Sequence, residues 1–260
     1  MKKKLVGTSW KMNKTISEAI EYCTYLSNFL PQVHSSRIQP FFIPPFTALN
    51  TVSNFIKNND LNWFVGAQNM HYAEGGPWTG EISASMLIEA GAQLVEIGHS
   101  ERREFFNETD ETVNLKVKTA LNKNIKPLIC VGESLTAKNN GISKKIISKQ
   151  IKSALRDITS TQIENVIIAY EPIWAIGENG KPATPEQAEE IHKHIRSILA
   201  EMYSIDIANN INLLYGGSVD IDNALSLIQM KNIDGLFIGR SAWSAKGYLE
   251  IFKAVSDFYS

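Results

Sequence analysis

Cysteine, net charge and long hydrophobic runs are all scarce in this sequence of 260 residues. The two cysteines, Cys23 and Cys130, stand far apart without metal-ligand spacing, which favours buried free thiols in a reducing cytoplasm. Lys and Arg total 26 against 27 Asp and Glu, and this balance argues against nucleic acid as a partner. No apolar stretch approaches the ~18 residues that a membrane-spanning helix requires.

Two further kinds of motif are missing. After the basic start, only Leu5 and Val6 precede Gly7, so we expect no secretory signal and a cytoplasmic protein. No Gly-x-Gly-x-x-Gly fingerprint follows any apolar run and no Walker sequence is present. The common nucleotide-binding motifs are therefore not expected here.

The chain does contain eight short apolar runs, each followed by a longer segment of helical periodicity. The runs are 4–10, 40–44, 62–67, 93–98, 126–131, 165–170, 211–215 and 234–239. They are nearly continuous in Val, Ile, Leu and Phe, which is typical of parallel strands buried on both faces. Alternating strands and helices without a Pro-rich or Gly/Ser-rich linker predict an α/β protein, a single-domain (β/α)8 barrel (the TIM barrel) over residues 1–260.

Helices are predicted at five of the intervening segments in particular, namely 17–30, 110–122, 143–155, 185–203 and 221–229. Ser17 marks the expected start of the first of them. Thr184 followed by Pro185 predicts an N-cap with proline at the first helical position. His192 and His194 lie two residues apart on that same helix, and both are expected at the surface.

Residues directly after the runs are the candidates for function, because active sites of such barrels lie at the carboxyl ends of the strands. Lys11 follows the first run and can neutralise an anion. His99 follows the fourth run and can polarise a carbonyl or carry a proton. Glu171 follows the sixth run, at an apolar edge that disfavours a charged carboxylate and so suits a general base.

Three loops complete this set of candidates. Residues 172–177 are apolar where a solvated loop would be polar. Gly177 and Gly180 give one end freedom to move, so residues 172–180 are expected to form a lid. The loops after the last two strands, 216–218 and 239–241, contain glycines that let backbone N–H groups approach a phosphate. The whole set suits proton abstraction beside the carbonyl of a phosphorylated substrate, with no metal and no other cofactor.

Several segments resemble the triosephosphate isomerase family in order along the chain. The most specific are Gly-His-Ser-Glu-Arg-Arg at 98–103 and Tyr-Glu-Pro-Ile-Trp-Ala-Ile-Gly at 170–177, and the others are 10–13, 66–69, 79–83, 130–133 and 215–219. The resemblance implies interconversion of D-glyceraldehyde 3-phosphate and dihydroxyacetone phosphate in glycolysis and gluconeogenesis. It also implies a cytoplasmic homodimer formed through the loop at 66–80.

The resemblance further implies a role for each matching position. Glu171 is expected to be the base, His99 the neutral electrophile and Lys11 the cation that stabilises the anion; the first two roles are a standard worked example for this family. Glu101 is expected to position Lys11. The positions expected to bind the phosphate are Gly177, Ser218 and Gly239.

Three positions depart from the family pattern. Ser9 stands where the family usually has Asn, Arg240 replaces a second glycine, and the lid ends in Gly-Glu-Asn-Gly-Lys at 177–181. Ser9 leaves room for an additional carbon. Arg240 is either a paired surface charge or a guanidinium for the phosphate or a further hydroxyl. The departures resemble a paralogous branch that isomerises four-carbon erythrulose phosphates in tetritol breakdown, which is the alternative substrate.

Two other classes of function were weighed against this one. An aldolase-type barrel needs a Schiff-base lysine within an apolar run, and no run contains a lysine beyond its first residue. A catalytically inactive phosphosugar-binding protein would be favoured by loss of Glu171, His99 or Lys11, and all three are present.

Overall fold

Eight parallel strands form a closed barrel in the computed structural model, which describes residues 2–33, 35–177, 180 and 182–259. The strands are β1 (Lys4–Ser9), β2 (Ile38–Ile43), β3 (Phe64–Ala67), β4 (Leu94–Ile97), β5 (Lys126–Val131), β6 (Ile167–Tyr170), β7 (Asn212–Tyr215) and β8 (Gly235–Ile238). Each strand pairs with the next and β8 pairs with β1, which confirms the predicted (β/α)8 barrel. That the whole chain forms one domain stays a prediction.

Helices surround the barrel. Those of the described residues are α1 (Ile16–Val33), α2 (Phe46–Asn58), α3 (Ala84–Glu89), α4 (Ser100–Phe105), α5 (Asp110–Asn122), α6 (Leu135–Asn139), α7 (Ser143–Ala154), α8 (Pro185–Met202), α9 (Ile205–Asn210), α10 (Ala224–Ile228) and α11 (Ala245–Phe258). Short 3-10 helices lie at Ile163–Asn165, Ile173–Ala175 and Arg240–Ala242. Within the described ranges, no helix has both the length and the hydropathy needed to cross a bilayer.

The strands are apolar on both faces because the barrel has two cores. Side chains that point to the barrel axis form an inner core of Leu5, Phe41, Ile43, Leu94, Leu128, Cys130, Ile167, Ala169, Leu214 and Phe237. The residues between them, such as Val6, Phe42 and Val95, pack against the helices in an outer core. This period of two therefore produces runs that are apolar throughout, as the sequence showed.

The start of α8 is the one that the sequence predicted. The Thr184 hydroxyl accepts from the Gln187 N–H at 3.3 Å, and the Gln187 side chain accepts from the Thr184 N–H at 3.1 Å. Helix α1, in contrast, begins before Ser17. The Thr15 N–H donates to the Glu18 carboxylate at 2.7 Å, so Thr15 caps this helix.

The prediction that His192 lies at the surface was wrong. Its side chain is fully buried, because it lies on the inward face of α8 with Ala188 and Ile195. His192 Nδ1 lies 2.8 Å from the Ala188 carbonyl oxygen, and burial lowers the pKa of the imidazole. His194 is partly exposed, with Nε2 2.9 Å from the Ser148 hydroxyl.

Candidate active site

A cavity of about 470 Å³ opens at the carboxyl ends of the strands. It is lined by all nine residues that the sequence singled out for the site, namely Ser9, Lys11, His99, Glu101, Glu171, Gly177, Ser218, Gly239 and Arg240. These residues lie at or after the carboxyl ends of five different strands, so the closed barrel is what brings them together.

Glu171 directly follows β6 and is only 3% exposed. Its backbone N–H donates to the Val131 carbonyl oxygen at 2.7 Å, which fixes the strand end. The Ser100 N–H lies 3.5 Å from Glu171 Oε2, and His99 Nε2 lies 3.4 Å from Oε1. The carboxylate and the imidazole therefore reach the same part of the cavity.

Two glycines at neighbouring strand ends make room for Glu171. A Cβ atom added at Gly132 would collide with the Glu171 carbonyl oxygen. A Cβ atom at Gly216 would lie 2.9 Å from Glu171 Cγ, closer than real Cβ atoms come. Any side chain at either position would displace the carboxylate.

Helix α4 fixes the orientation and the tautomer of His99, which is its N-cap residue. His99 Nδ1 accepts a hydrogen bond from the Glu101 N–H at 3.2 Å. An accepting nitrogen carries no proton, so the ring proton lies on Nε2, the nitrogen that faces Glu171. A neutral Nε2–H can donate to a carbonyl or an enediolate oxygen.

Lys11 lies just after β1 with a φ of 53°, in the left-handed region that costs an L-residue about 1 kcal/mol. Gln68 Nε2 donates to the Lys11 carbonyl oxygen at 2.8 Å and holds this conformation. Lys11 Nζ lies 2.6 Å from Glu101 Oε1. The ammonium group is thus placed at the cavity wall by its backbone and by a carboxylate.

The loops after β7 and β8 form another part of the cavity wall. Gly216, Gly217 and Ser218 follow β7, while Gly239 follows β8 and Arg240 begins a 3-10 helix. The Ser218 hydroxyl donates to the Ala175 carbonyl oxygen at 2.7 Å. Glycine-rich backbone beside an exposed guanidinium suits the binding of a phosphate group.

Part of the predicted lid at 172–180 lies outside the described residues. Gly177 and Gly180 line the cavity, so this end of the loop faces the site. Residues 178–179 and 181, which carry the departure from the family's lid sequence, are outside the described ranges. Movement of the lid stays a prediction.

Glu96, a carboxyl group inside the barrel, was not predicted from the sequence as part of the site. Glu96 is the third residue of β4 and is 3% exposed. The Ser9 hydroxyl donates to Glu96 Oε2 at 2.9 Å, and Oε1 lies 3.9 Å from His99 Nε2. Burial raises the pKa of the Glu96 carboxyl to about 7; His99 opposes this rise and Glu171 adds to it. A charged residue within an apolar run was the signal that could have revealed it.

Among the described residues, Glu96, His99 and Glu171 also form a set that could hold a metal ion. Their ligand atoms lie within 4.8 Å of one another. Two carboxylates and an imidazole are suitable ligands for divalent ions. The same groups are suited to proton transfer without an ion, and the sequence's expectation of a metal-free, cofactor-free site stays a prediction.

A closed barrel with a carboxylate, an imidazole and an ammonium beside a glycine-rich wall has the groups that an enzyme needs for proton transfer on a small phosphorylated substrate. A family model described as "Triosephosphate isomerase" matches residues 4–255. The chain belongs to the triosephosphate isomerase family, and it is an isomerase of phosphorylated sugars.

Relatives with two different names align over almost the whole chain. The chain is 46% identical over 252 residues to an L-erythrulose-1-phosphate isomerase of Mesorhizobium japonicum, covering 96% of each chain. It is 46% identical over 248 residues to a protein of the same name from Mycolicibacterium smegmatis, covering 95% of this chain and 91% of the relative. It is 41% identical over 251 residues to a triosephosphate isomerase of Alkaliphilus oremlandii, covering 96% of this chain and 99% of the relative.

Proposed function

We propose that Glu171, His99 and Lys11 move a proton between adjacent carbons of a ketose phosphate. Glu171 takes the proton from the carbon beside the carbonyl; the electron pair forms a carbon–carbon double bond, and the carbonyl electrons move to oxygen. His99 donates to this oxygen from Nε2 and Lys11 offsets the enediolate charge. The neighbouring hydroxyl becomes the new carbonyl as its proton passes, by way of His99, to the former carbonyl oxygen. Glu171 returns the proton that it took to the former carbonyl carbon.

The observation that carries this proposal is the contact of 3.4 Å between His99 Nε2 and Glu171 Oε1. With Nδ1 occupied by the Glu101 N–H, a protonated Nε2 and a carboxylate face one substrate position. Glu101 is proposed to hold Lys11 in place through the ion pair of 2.6 Å. The residues proposed to bind the phosphate are Gly177, Ser218, Gly239 and Arg240.

We further propose that the substrate has four carbons, as L-erythrulose 1-phosphate has. Relatives of that name share 46% identity with the chain, whereas the triosephosphate isomerase of Alkaliphilus oremlandii shares 41%. In this substrate the carbon that loses the proton carries a hydroxymethyl group where dihydroxyacetone phosphate has a hydrogen. The short side chain of Ser9 and the guanidinium of Arg240, both at the cavity wall, support a larger and more polar substrate.

The second candidate is interconversion of D-glyceraldehyde 3-phosphate and dihydroxyacetone phosphate, the main prediction from the sequence. The family model and relatives named triosephosphate isomerase, at 41% and 43% identity, support it. With this substrate, Ser9 and Arg240 would be tolerated variation, and the enzyme would serve glycolysis and gluconeogenesis. The comparisons favour the four-carbon substrate over this one.

The two candidates are separated by measuring kcat/KM for L-erythrulose 1-phosphate and for dihydroxyacetone phosphate with one enzyme preparation. We expect kcat/KM to be at least about tenfold higher for the four-carbon substrate, because one well-placed hydrogen bond contributes a factor of about ten. A triose rate near ~10⁸ M⁻¹s⁻¹ with slow conversion of the tetrulose would identify a glycolytic enzyme instead. Turnover of neither substrate would leave a phosphosugar-binding protein.

Glu171→Asp tests the proposed base. The carboxylate is drawn back by one methylene, and a misplacement of about 1 Å costs about 100-fold in rate. Competitive inhibition by inorganic phosphate should persist, because the phosphate loops are untouched. A rate within about threefold of the wild type would rule out Glu171 as the base.

We propose that the chain forms a cytoplasmic homodimer through the loop at 66–80. At the base of this loop the His71 ring stacks on Tyr72, with centroids 4.3 Å apart, and contacts the tilted ring of Trp78, with centroids 4.4 Å apart. Residues 74–80 are exposed, and Trp78 exposes 44% of its surface. An exposed tryptophan on a well-anchored loop suits insertion into a partner. Sedimentation equilibrium should give the mass of two chains, and Trp78→Ser should shift it to one.

A further inference from the structure

Glu96 is a carboxyl group in a position otherwise occupied by apolar side chains. Leu94 faces the barrel axis in the inner core, and Glu96 points the same way because side chains alternate along β4. An ionisable group here loses its hydration, a cost that a protein keeps only where other groups compensate it. The groups around Glu96 therefore decide what it does.

Glu96 is joined to the cavity by Ser9. The Ser9 hydroxyl donates to Glu96 Oε2 at 2.9 Å, a bond that crosses the barrel from β1 to β4. Ser9 itself lines the cavity, and its carbonyl oxygen accepts from Trp243 Nε1 at 3.2 Å. Ser9 is thus held at both its hydroxyl and its backbone.

The hydrogen bond to Glu96 determines what Ser9 offers to a substrate. A carboxylate accepts hydrogen bonds and cannot donate them, so the Ser9 hydroxyl hydrogen is committed to Glu96. Only the lone pairs of Ser9 Oγ remain for the cavity. Ser9 is therefore an acceptor, and a substrate hydroxyl that donates to it extends a charge-assisted chain ending at the carboxylate.

We propose that Ser9 accepts a hydrogen bond from the hydroxyl on the fourth carbon of the substrate, and that Glu96 is the positioning residue that makes it an acceptor. This inference rests on the proposed four-carbon substrate. A triose phosphate has no such hydroxyl, so Ser9 and Glu96 favour the longer sugar. Sites built to bond a substrate hydroxyl discriminate strongly against analogues that lack it.

The contacts of Glu96 support this assignment, because they place Ser9 close to His99 and so to the reacting carbons. The phosphate loops, around Ser218 and Gly239, take one end of the substrate. Glu171 and His99 act on the carbons that follow. A fourth carbon extends beyond the carbon deprotonated by Glu171, away from the phosphate, and Ser9 lines the cavity with its bonded Glu96 3.9 Å from His99 Nε2.

The charge of Glu96 responds to ionisable groups packed near it. Those found in the described part of the chain are His99, Glu171, Lys11 and Cys130. Burial raises the pKa of Glu96 to about 7, so the carboxylate form that commits the Ser9 hydrogen prevails above neutral pH. The preference for the four-carbon substrate should accordingly rise with pH through about 7.

The test measures kcat/KM on L-erythrulose 1-phosphate and on dihydroxyacetone phosphate for wild type, Glu96→Gln, Ser9→Ala and the double variant. Each single change should lower the value for the tetrulose by about 10- to 100-fold, as expected for a lost charge-assisted hydrogen bond. The value for the triose should fall by less than that for the tetrulose, because the triose makes no such bond. The double variant should be no worse than Ser9→Ala, since Glu96 acts through Ser9.

The ratio of the two kcat/KM values also provides a pH profile. Both substrates use the same phosphate loops and the same Glu171 and His99, so these ionisations cancel in the ratio. Wild type should show a rise through about pH 7, and Glu96→Gln should show a flat profile. A residue that merely supports the fold would not move this ratio.

Asp234→Asn is the matched control, a buried carboxyl at the amino-terminal end of β8. It should lower the thermal midpoint and leave the substrate ratio unchanged. Equal losses on both substrates in Glu96→Gln, or additive losses in the double variant, would overturn the proposal. If wild type does not convert the tetrulose phosphate at all, the proposed function fails first and this inference falls with it.

Discussion

Glu96→Gln replaces a buried ionisable carboxyl with a neutral amide of the same size, and it should change how stability depends on pH. Burial raises the pKa of Glu96 from 4.5 to about 7 in the folded chain. Between these values the unfolded chain has lost its proton while the folded chain still binds it. The free energy of unfolding of the wild type therefore falls as pH rises through this range and levels off above it.

The size of the effect follows from the two pKa values. They differ by about 2.5, and at about 1.36 kcal/mol per pKa unit this corresponds to about 3 kcal/mol. Glutamine does not titrate, so the variant does not lose this stability. Its free energy of unfolding should rise relative to that of the wild type as pH rises from 4.5 to 7. The changed hydrogen bond with Ser9 alters the difference in the free energy of unfolding by about 1 kcal/mol, and this contribution does not depend on pH.

The assay is thermal unfolding, followed by circular dichroism, of wild type and variant at pH 5, 6, 7 and 8. Protein concentration is held fixed because association stabilises the folded state. Thermal midpoints should diverge by about 6–12 °C across this range, at about 2–4 °C per kcal/mol for a chain of this size. A stability difference that is the same at pH 5 and pH 8 would refute the reasoning.

Ser9→Ala provides a second check of the same reasoning, because it should raise the pKa of Glu96 further. The hydrogen bond from Ser9 opposes the rise in the pKa of Glu96. Without it the carboxyl keeps its proton to higher pH, so the fall in stability should extend further above pH 7 than in the wild type.

Three other substitutions have expected outcomes. Gly132→Ala should lower kcat by about 100-fold, because its Cβ atom displaces the backbone of Glu171; near-normal turnover would contradict this. Glu101→Gln should lower kcat/KM by about tenfold through the freed Lys11, while the thermal midpoint stays nearly constant because the exposed ion pair contributes about 1 kcal/mol or less. Arg240→Ala should weaken competitive inhibition by inorganic phosphate by about tenfold, and unchanged inhibition would assign this guanidinium to the surface.

The barrel could be predicted because strands buried on both faces leave a strong apolar signal. The predicted boundaries of the strands were less accurate, and β2 shows why. The predicted run begins at residue 40, whereas β2 begins at Ile38 and includes the polar Gln39. Gln39 is 3% exposed and donates to the Asn62 carbonyl oxygen at 2.7 Å. A partner on a distant loop, invisible in the local sequence, allows a polar side chain to be buried within the strand.

The same limit applies to the candidate site. Residues after the strands could be predicted together, because a parallel barrel places all carboxyl ends at one mouth. Glu96 and His192 could not be placed in this way, since each lies inside an element and is buried by contacts from elsewhere. Ser9, the partner of Glu96, lies 87 positions away in the chain.

Two buried carboxyls at opposite ends of the barrel show how a structural charge differs from a functional one. Asp234 lies 2.5 Å from Arg196 Nη2 and 2.7 Å from Lys2 Nζ, and it accepts from the Leu213 N–H at 3.1 Å. Its charge is matched by cations, as a group that supports the fold requires. Glu96 has only the Ser9 hydroxyl within 3 Å among the bonds found in the described chain. This close partner lines the cavity, which is why we assign Glu96 to substrate selection rather than to support of the fold.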